Sequence, residues 1–271
     1  MSTPVTPRKK ARYGWTPDLP DARDHLFSAP QPTLAALPPR ADLRSQCPPV
    51  YDQEQIGSCT ANAIGGAFEF ETTKQGLPDF MPSRLFIYYN ERAMEGSVGT
   101  DSGAQIRDGV KSVAKLGVCP ETEWPYDGRE ADQFTSEFPP GDPAAEKPTD
   151  TCYKDALNNR ATTYSRVVQN LDQMRGCLAA GYPFVFGFTV YSSFESQQVA
   201  ETGVVPMPEP TEKVMGGHAV LAVGYDDAAQ TFIVRNSWGA DWGIKGYFTI
   251  PYPYLLQGTL ASDFWTIRTV E

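Results

Sequence analysis

Along this chain the apolar residues change their spacing, from a helical period in the first half to short β-branched and aromatic runs in the second. A helix face and a strand face repeat with different periods, so this change confines the fold. Ala61, Ile64, Ala67 and Phe68 recur at helical spacing and predict a helix from Ser58–Cys59 to about Gln75, ended by Gly76. A second helix is predicted from Ser83, as cap, to about Ala93. Ile106, Val110, Val113 and Leu116 predict a third, following Ser102 and ending at Gly117. Residues 126–160 are acidic and proline-rich and read as a long surface loop. A fourth helix is predicted over Leu171–Ala180, with Asn170 as cap and Gly181 as stop. Strand-like runs then follow at 184–191, 218–225, 231–235, 247–250 and 264–270. Helices first and strands later predict an α+β chain, with a mainly helical lobe over about 37–165 and a mainly β lobe over about 166–271. A cleft is expected where they meet. Residues 1–36, with several prolines and no sustained period, read as an extended segment.

Charge and cysteine content narrow the function classes. A formal charge of −10 offers no basic face for phosphates and argues against a nucleic-acid partner. The cluster Arg8-Lys9-Lys10 with Arg12 reads as a solvated tail. No apolar run approaches the roughly 20 residues of a membrane-spanning helix. The basic N-terminus has no apolar stretch behind it, unlike a secretory leader. No membrane association is therefore expected, and a cytoplasmic location, with export lacking a cleaved leader as the alternative. Cys47, Cys59, Cys119, Cys152 and Cys177 are an odd set, so at least one thiol stays unpaired if the others pair. There is no C-x-x-C, and only His25 and His218 supply imidazole, so neither a metal nor a cofactor is expected. If Cys59 is free, the other four permit three complete pairings, and the missing leader favours reduced thiols. Cys119, Cys152 and Cys177 read as buried small hydrophobes.

Chemistry concentrates around Gln53-Glu-Gln-Ile-Gly-Ser-Cys59. A cysteine in the first turn of a helix meets the positive end of the helix dipole and unpaired N–H groups, which favour thiolate. Gly57 leaves room for a substrate backbone, Ser58 is placed to cap the helix, and Gln53 can offer an amide donor beside the thiol. In the second half, Gly216 and Gly217 open an apolar strand that begins with His218. Downstream, Asn236 can accept a bond from that imidazole, fixing its tautomer and turning the other ring nitrogen to sulfur. Trp238 would shield the bond from water. His25, in the irregular N-terminal segment, is the weaker candidate for the same role.

Together, Gly57-Ser58-Cys59 with Gln53 six positions upstream, the strand at His218, and Asn236-Ser237-Trp238-Gly239-x-x-Trp242-Gly243 are similar to the papain-like cysteine peptidase family. The family's signatures are Cys-Gly-Ser-Cys-Trp and Asn-Ser-Trp-Gly-x-x-Trp-Gly. The resemblance spans residues 37 to 271, beginning with Asp42 and Arg44, which sit like the Asp-x-Arg near the family's mature N-terminus. The Gly-Ser-Cys-Thr form resembles the bacterial xylellain-type branch. Two departures stand out: Ile56 replaces a disulfide cysteine, and Thr60 replaces the tryptophan. The distance from Cys59 to His218 slightly exceeds the about 130–150 residues usual for papain-type enzymes, consistent with an insertion in 126–160.

This resemblance implies a two-lobed papain-like fold and a cysteine-type endopeptidase working through a thioester. It implies Cys59 as nucleophile, His218 as its proton partner, Asn236 as orienting residue and Gln53 as oxyanion donor. Beside an imidazolium such a thiol can titrate as low as the roughly 3–4 of papain's cysteine. Ser102 and Gly103 would bind substrate backbone. Gly187, Gly216 and Gly217 would form the pocket for the side chain one residue before the scissile position, with Leu255 or Leu256 as a lid. Few charges fall there, so apolar or aromatic side chains are expected. The partner is then a peptide or protein substrate, and the chain a monomer. The family typically carries an inhibitory N-terminal pro-segment, usually longer and helical. Here residues 1–36 are either a disordered tail or place Tyr13-Gly14-Trp15-Thr16-Pro17-Asp18-Leu19 over the cleft, because Tyr13, Trp15 and Leu19 are costly to leave in solvent. Two rivals use the same residue types: a transglutaminase-like Cys-His acyltransferase, usually with an aspartate third member, and a non-catalytic peptide-binding protein on the same scaffold.

Overall fold

The structure is a computed structural model and describes residues 13–271, so the basic tail at Arg8–Arg12 lies outside the described residues. The chain enters through a short strand β1 (Leu26–Phe27), helix α1 (Gln31–Ala35) and strand β2 (Arg40–Asp42), then makes three helices, α2 (Cys59–Lys74), α3 (Arg84–Glu95) and α4 (Ile106–Leu116). Helix α2 is buried from Cys59 through Thr72 on every side. It lies between α3 and α4 on one flank and the sheet on the other, which is why its sequence lacks a polar stripe. Ser83 caps α3 as expected, its hydroxyl accepting the Phe86 N–H at 3.1 Å, and Gly96 ends the helix in the left-handed region.

Helix α4 starts at Ile106 rather than just after Ser102. Gly103 has φ +70°, and Ala104 is drawn away to pair with Trp15, so the chain cannot begin its helical turn there. The 126–160 stretch is less open than its composition suggests. Helix α5 (Asp150–Ala156) forms within it, capped by the Thr149 hydroxyl on the Cys152 N–H at 3.2 Å. The buried guanidinium of Arg92 anchors the loop's approaches through the carbonyls of Val98, Thr100 and Ala144.

Strand β3 (Ala161–Val167), which the sequence reading missed, leads to helix α6 (Leu171–Ala179), capped by Asn170, and strand β4 (Phe184–Tyr191). After helix α7 (Gln197–Thr202) come β5 (Val214–Asp226), β6 (Thr231–Arg235), β7 (Tyr247–Pro251), helix α8 (Tyr252–Leu256) and β8 (Ala261–Val270). The sheet order is β1-β3-β8-β4-β5-β6-β7, with β2 also paired to β5. Among the paired strands of the described residues, β1–β3 alone is parallel. A division at residue 165 therefore falls inside a strand, and β1 and β2 carry the early chain into the β lobe. The lobes are thus those of an α+β, papain-like fold that exchange short segments. Among the described residues no helix is long and apolar enough to cross a membrane. All five cysteines are unbonded.

Candidate active site

Cys59 opens α2 and is fully buried. Its sulfur accepts the Ala219 N–H at 3.4 Å and is also met by the backbone N–H groups of Gly14 and Thr60. Ser58 does not cap the helix. Its hydroxyl instead pairs with Tyr126 Oη at 2.7 Å and accepts the Asn62 side-chain amide at 3.0 Å. In this form burial pushes the Cys59 thiol up to about 12, against the opposing pull of the backbone donors. The depressed value expected from the helix dipole is therefore not reached. The reason is the segment at Gly14, which covers the sulfur and removes the water that would stabilise a thiolate.

His218 lies in β5, and its Nε2 is 2.8 Å from Asn236 Oδ1. The same oxygen accepts the Ser237 N–H at 2.9 Å, which fixes the amide's orientation. Trp238 lies over the imidazole, ring centroids 5.3 Å apart and planes 31° inclined, and both side chains of the His–Asn pair are buried. His25 is exposed beside β1; its carbonyl accepts from Arg166 N at 2.7 Å. Gln53 is brought to this group by pairing of residues 51–53 with 237–239, the Gln53 N–H reaching Ser237 O at 2.9 Å. Its side-chain oxygen accepts from the Ser237 hydroxyl at 2.7 Å, and its nitrogen donates to Ile56 O at 3.0 Å, just before the Cys59 turn.

Several supporting residues escaped the sequence reading. The Asp101 carboxylate accepts the Gly57 N–H at 2.9 and 3.0 Å and the Tyr88 hydroxyl at 2.5 Å, and Tyr88 Oη in turn accepts the Gly103 N–H at 3.2 Å. This buried pair ties the turn before Cys59 to the backbone at Gly103. Thr60 donates its hydroxyl to Glu91 at 2.5 Å, so the core beneath the nucleophile is a polar pair where the resemblance implied tryptophan. Burial holds the Glu91 carboxyl well above the ordinary carboxylate range.

The N-terminal segment runs through the cleft. Trp15 N–H donates to Gly217 O at 2.9 Å, while Ala104 N donates to Gly14 O at 2.8 Å and Ala104 O accepts from Thr16 N at 3.0 Å. Trp15 occupies the glycine pocket: a Cβ built on Gly187 would lie 1.9 Å from its indole, and one on Gly217 2.7 Å. Tyr13 covers Gly216 in the same way and donates its hydroxyl to Glu195 at 2.7 Å. Gly103 lies against Gly14, whereas the Ser102 hydroxyl turns away to Ser97 at 2.9 Å. Leu19, expected to need cover, is 70% exposed.

The pocket does hold a charge, contrary to expectation. Buried Asp263 accepts the Trp15 indole N–H at 3.2 Å and the Asp18 N–H at 2.8 Å, and pairs with Arg166 at 3.0 Å. Leu255 is buried and Leu256 is partly exposed; the polar contact to the indole comes from Asp263 instead. Asp18 in turn accepts the Trp265 indole N–H at 2.8 Å and the Arg107 N–H at 3.0 Å.

Comparison with known proteins agrees with this geometry. Residues 37–254 match the model of the papain family cysteine proteases. The chain is 41% identical over 283 aligned residues to an uncharacterized peptidase C1-like protein of Acanthamoeba polyphaga mimivirus, covering 95% of this chain and 87% of that one. It is 27% identical to bovine pro-cathepsin H, covering 92% and 73%. Among solved structures, xylellain, a cysteine protease from Xylella fastidiosa, superposes with a TM-score of 0.92 at 53% identity, covering 97% of this chain and 98% of that one.

Proposed function

Because the chain belongs to the papain family of cysteine proteases, we propose that it is an endopeptidase acting through a thioester on Cys59, held inactive in this form by residues 13–19. The observation that carries the chemistry is the His218–Asn236 bond of 2.8 Å beside a sulfur that already accepts the N–H of the next residue, Ala219. With Nε2 turned to Asn236, Nδ1 is the nitrogen that exchanges a proton with sulfur. The Cys59 thiolate attacks a peptide carbonyl, and the Cys59 N–H and the Gln53 amide receive the oxyanion. Each such donor is worth roughly 2.7–4 kcal/mol to the rate. His218 then protonates the leaving amine and later activates the water that hydrolyses the thioester. An amide rather than a carboxylate as third member separates this arrangement from the acyltransferase reading. Cys59→Ala should abolish turnover of fluorogenic peptides and labelling by an epoxide thiol inhibitor, with unchanged circular dichroism. Residual turnover in that variant would refute the assignment.

Inhibition by residues 13–19 follows from what they present to sulfur. Gly14 presents its N–H to the sulfur, and its carbonyl accepts from the Ala104 N–H, so the segment is fastened across the nucleophile. Trp15 also indicates the pocket's taste. We read it as selecting large aromatic side chains, with Asp263 adding preference for a side-chain N–H donor. Asn tolerates the positive φ of Asp263, so Asp263→Asn is the informative change. It should cut the kcat/KM ratio of Trp- or Arg-bearing peptides over Leu-bearing ones by about tenfold, the worth of a charge-assisted bond. Taking a ratio within one variant cancels any effect on the covering segment. An unaltered ratio would remove Asp263 from specificity.

A further inference from the structure

A second cluster of reactive side chains lies away from the cleft. Cys119 follows α4, where its carbonyl accepts the Ser83 N–H at 2.8 Å, and Cys152 sits in the first turn of α5. Between them runs the loop 120–149. Both side chains are buried, and their sulfurs are in hydrogen-bond contact. The two sulfurs and the Glu123 carboxylate lie within 4.8 Å of one another. The Thr149 hydroxyl is 3.1 Å from Cys152 Sγ, and the Asp155 carboxyl is in hydrogen-bond contact with Glu123. The Asp155 carboxyl is the charged neighbour that acts on Glu123. Two thiols and two carboxylates thus converge where the catalytic reading has no use for any of them.

We propose that Cys119, Cys152 and Glu123 form a site for one thiophilic divalent cation of the zinc class, which closes the 120–149 loop onto α5. Tetrahedral zinc, with Zn–S of about 2.3 Å and Zn–O of about 2.0–2.2 Å, sets its donors roughly 3.3–3.8 Å apart. The observed spread therefore needs only small side-chain adjustments. Two sulfur donors favour zinc or cadmium over magnesium or calcium, which prefer all-oxygen shells. As the sulfur–metal bonds form, the two thiols release their protons to solvent. Water completes the coordination. Thr149 and Asp155 serve as the outer contacts that orient Cys152 and Glu123. The two cysteines stand 33 positions apart and lack the close C-x-x-C spacing, which is why the sequence led to the expectation of no metal. A disulfide would use the same sulfurs but make no use of the gathered carboxylates.

The test uses the full chain carrying Cys59→Ala, so that the active-site thiol cannot compete. Under reducing conditions, added Co(II) should produce a sulfur-to-cobalt charge-transfer band that saturates at one equivalent, and Zn(II) should displace it and raise Tm. Adding Cys119→Ser and Cys152→Ser should eliminate the band. Glu123→Gln, which keeps both thiols and the buried packing, should weaken Zn(II) binding by about ten- to a hundredfold. The proposal is overturned by the absence of a thiolate band in the parent, by a band that survives loss of both cysteines, or by unweakened binding in Glu123→Gln. It also fails if the pair is isolated as a disulfide and takes up no metal after reduction.

Discussion

A full-length chain carrying Trp15→Ala is expected to cleave small fluorogenic peptides about a hundredfold faster than the unaltered chain. Removing a buried tryptophan side chain costs about 3–5 kcal/mol, and the lower end applies because Trp15 is only partly covered. That energy is lost from the docked form alone, since a released segment leaves the side chain in water in any case. The indole bond to Asp263 disappears with it. A second variant reaches the same state by a different route. Gly14→Ala would set a Cβ 1.6 Å from the Gly57 carbonyl oxygen, so the segment cannot seat, yet no group lining the pocket is altered. Both variants should reach similar rates. Because the inhibitor is part of the chain, the activity of the unaltered protein should be independent of its concentration. Wild-type activity in both variants would mean that residues 13–19 do not restrain the enzyme.

What could be read from the chain was whatever depends on local period and on short motifs. Helix α2 was legible because its apolar residues, its cysteine and Gly76 lie within a single stretch. So was α3, whose cap is its own Ser83. The first turn of α4 was not, because Ala104 is claimed by a partner some ninety residues earlier, and periodicity cannot report a competing pairing. Strand β3 was missed because its polar, half-exposed pattern takes meaning only beside β8.

The same limit governs the site. Cys59, His218 and Asn236 stood out through their settings, a helix start, a glycine-opened strand and a tryptophan-rich turn. Asp101 did not, since a loop aspartate gives no sign that it will bind the Gly57 N–H and Tyr88 together. Asp263 is separated from Trp15 by most of the chain, so the charge in the glycine pocket was invisible until the fold closed. The thiol's acidity was misjudged for a related reason. The dipole at the head of α2 is a local property, whereas the water-excluding cover at Gly14 is a tertiary one, and in this form burial outweighs the local donors.

Asp18 makes the second large effect one of pH, with a sign opposite to that of a segment fastened only by carboxylate–guanidinium pairs. Such a fastening would loosen in acid. Here burial, then the neighbouring Asp263 carboxylate, push the Asp18 carboxyl from 3.8 to about 6, against the pull of the Trp265 indole N–H, the Arg107 N–H and the Arg107 guanidinium. Arg166, paired with both Asp24 and Asp263, completes the charged surroundings. Between these two values the docked segment holds a proton that the released one does not. Docking is therefore strongest below pH 3.8 and weakens as pH rises through about 6, by about 3 kcal/mol in all. The activity of the unaltered chain, divided by that of Gly14→Ala at each pH, should climb by up to about a hundredfold from pH 4 to pH 7. The division removes the pH dependence of the chemistry itself. Asp18→Asn should flatten the ratio. A ratio that falls with rising pH, or one that keeps its slope in Asp18→Asn, would show that this carboxyl does not govern release.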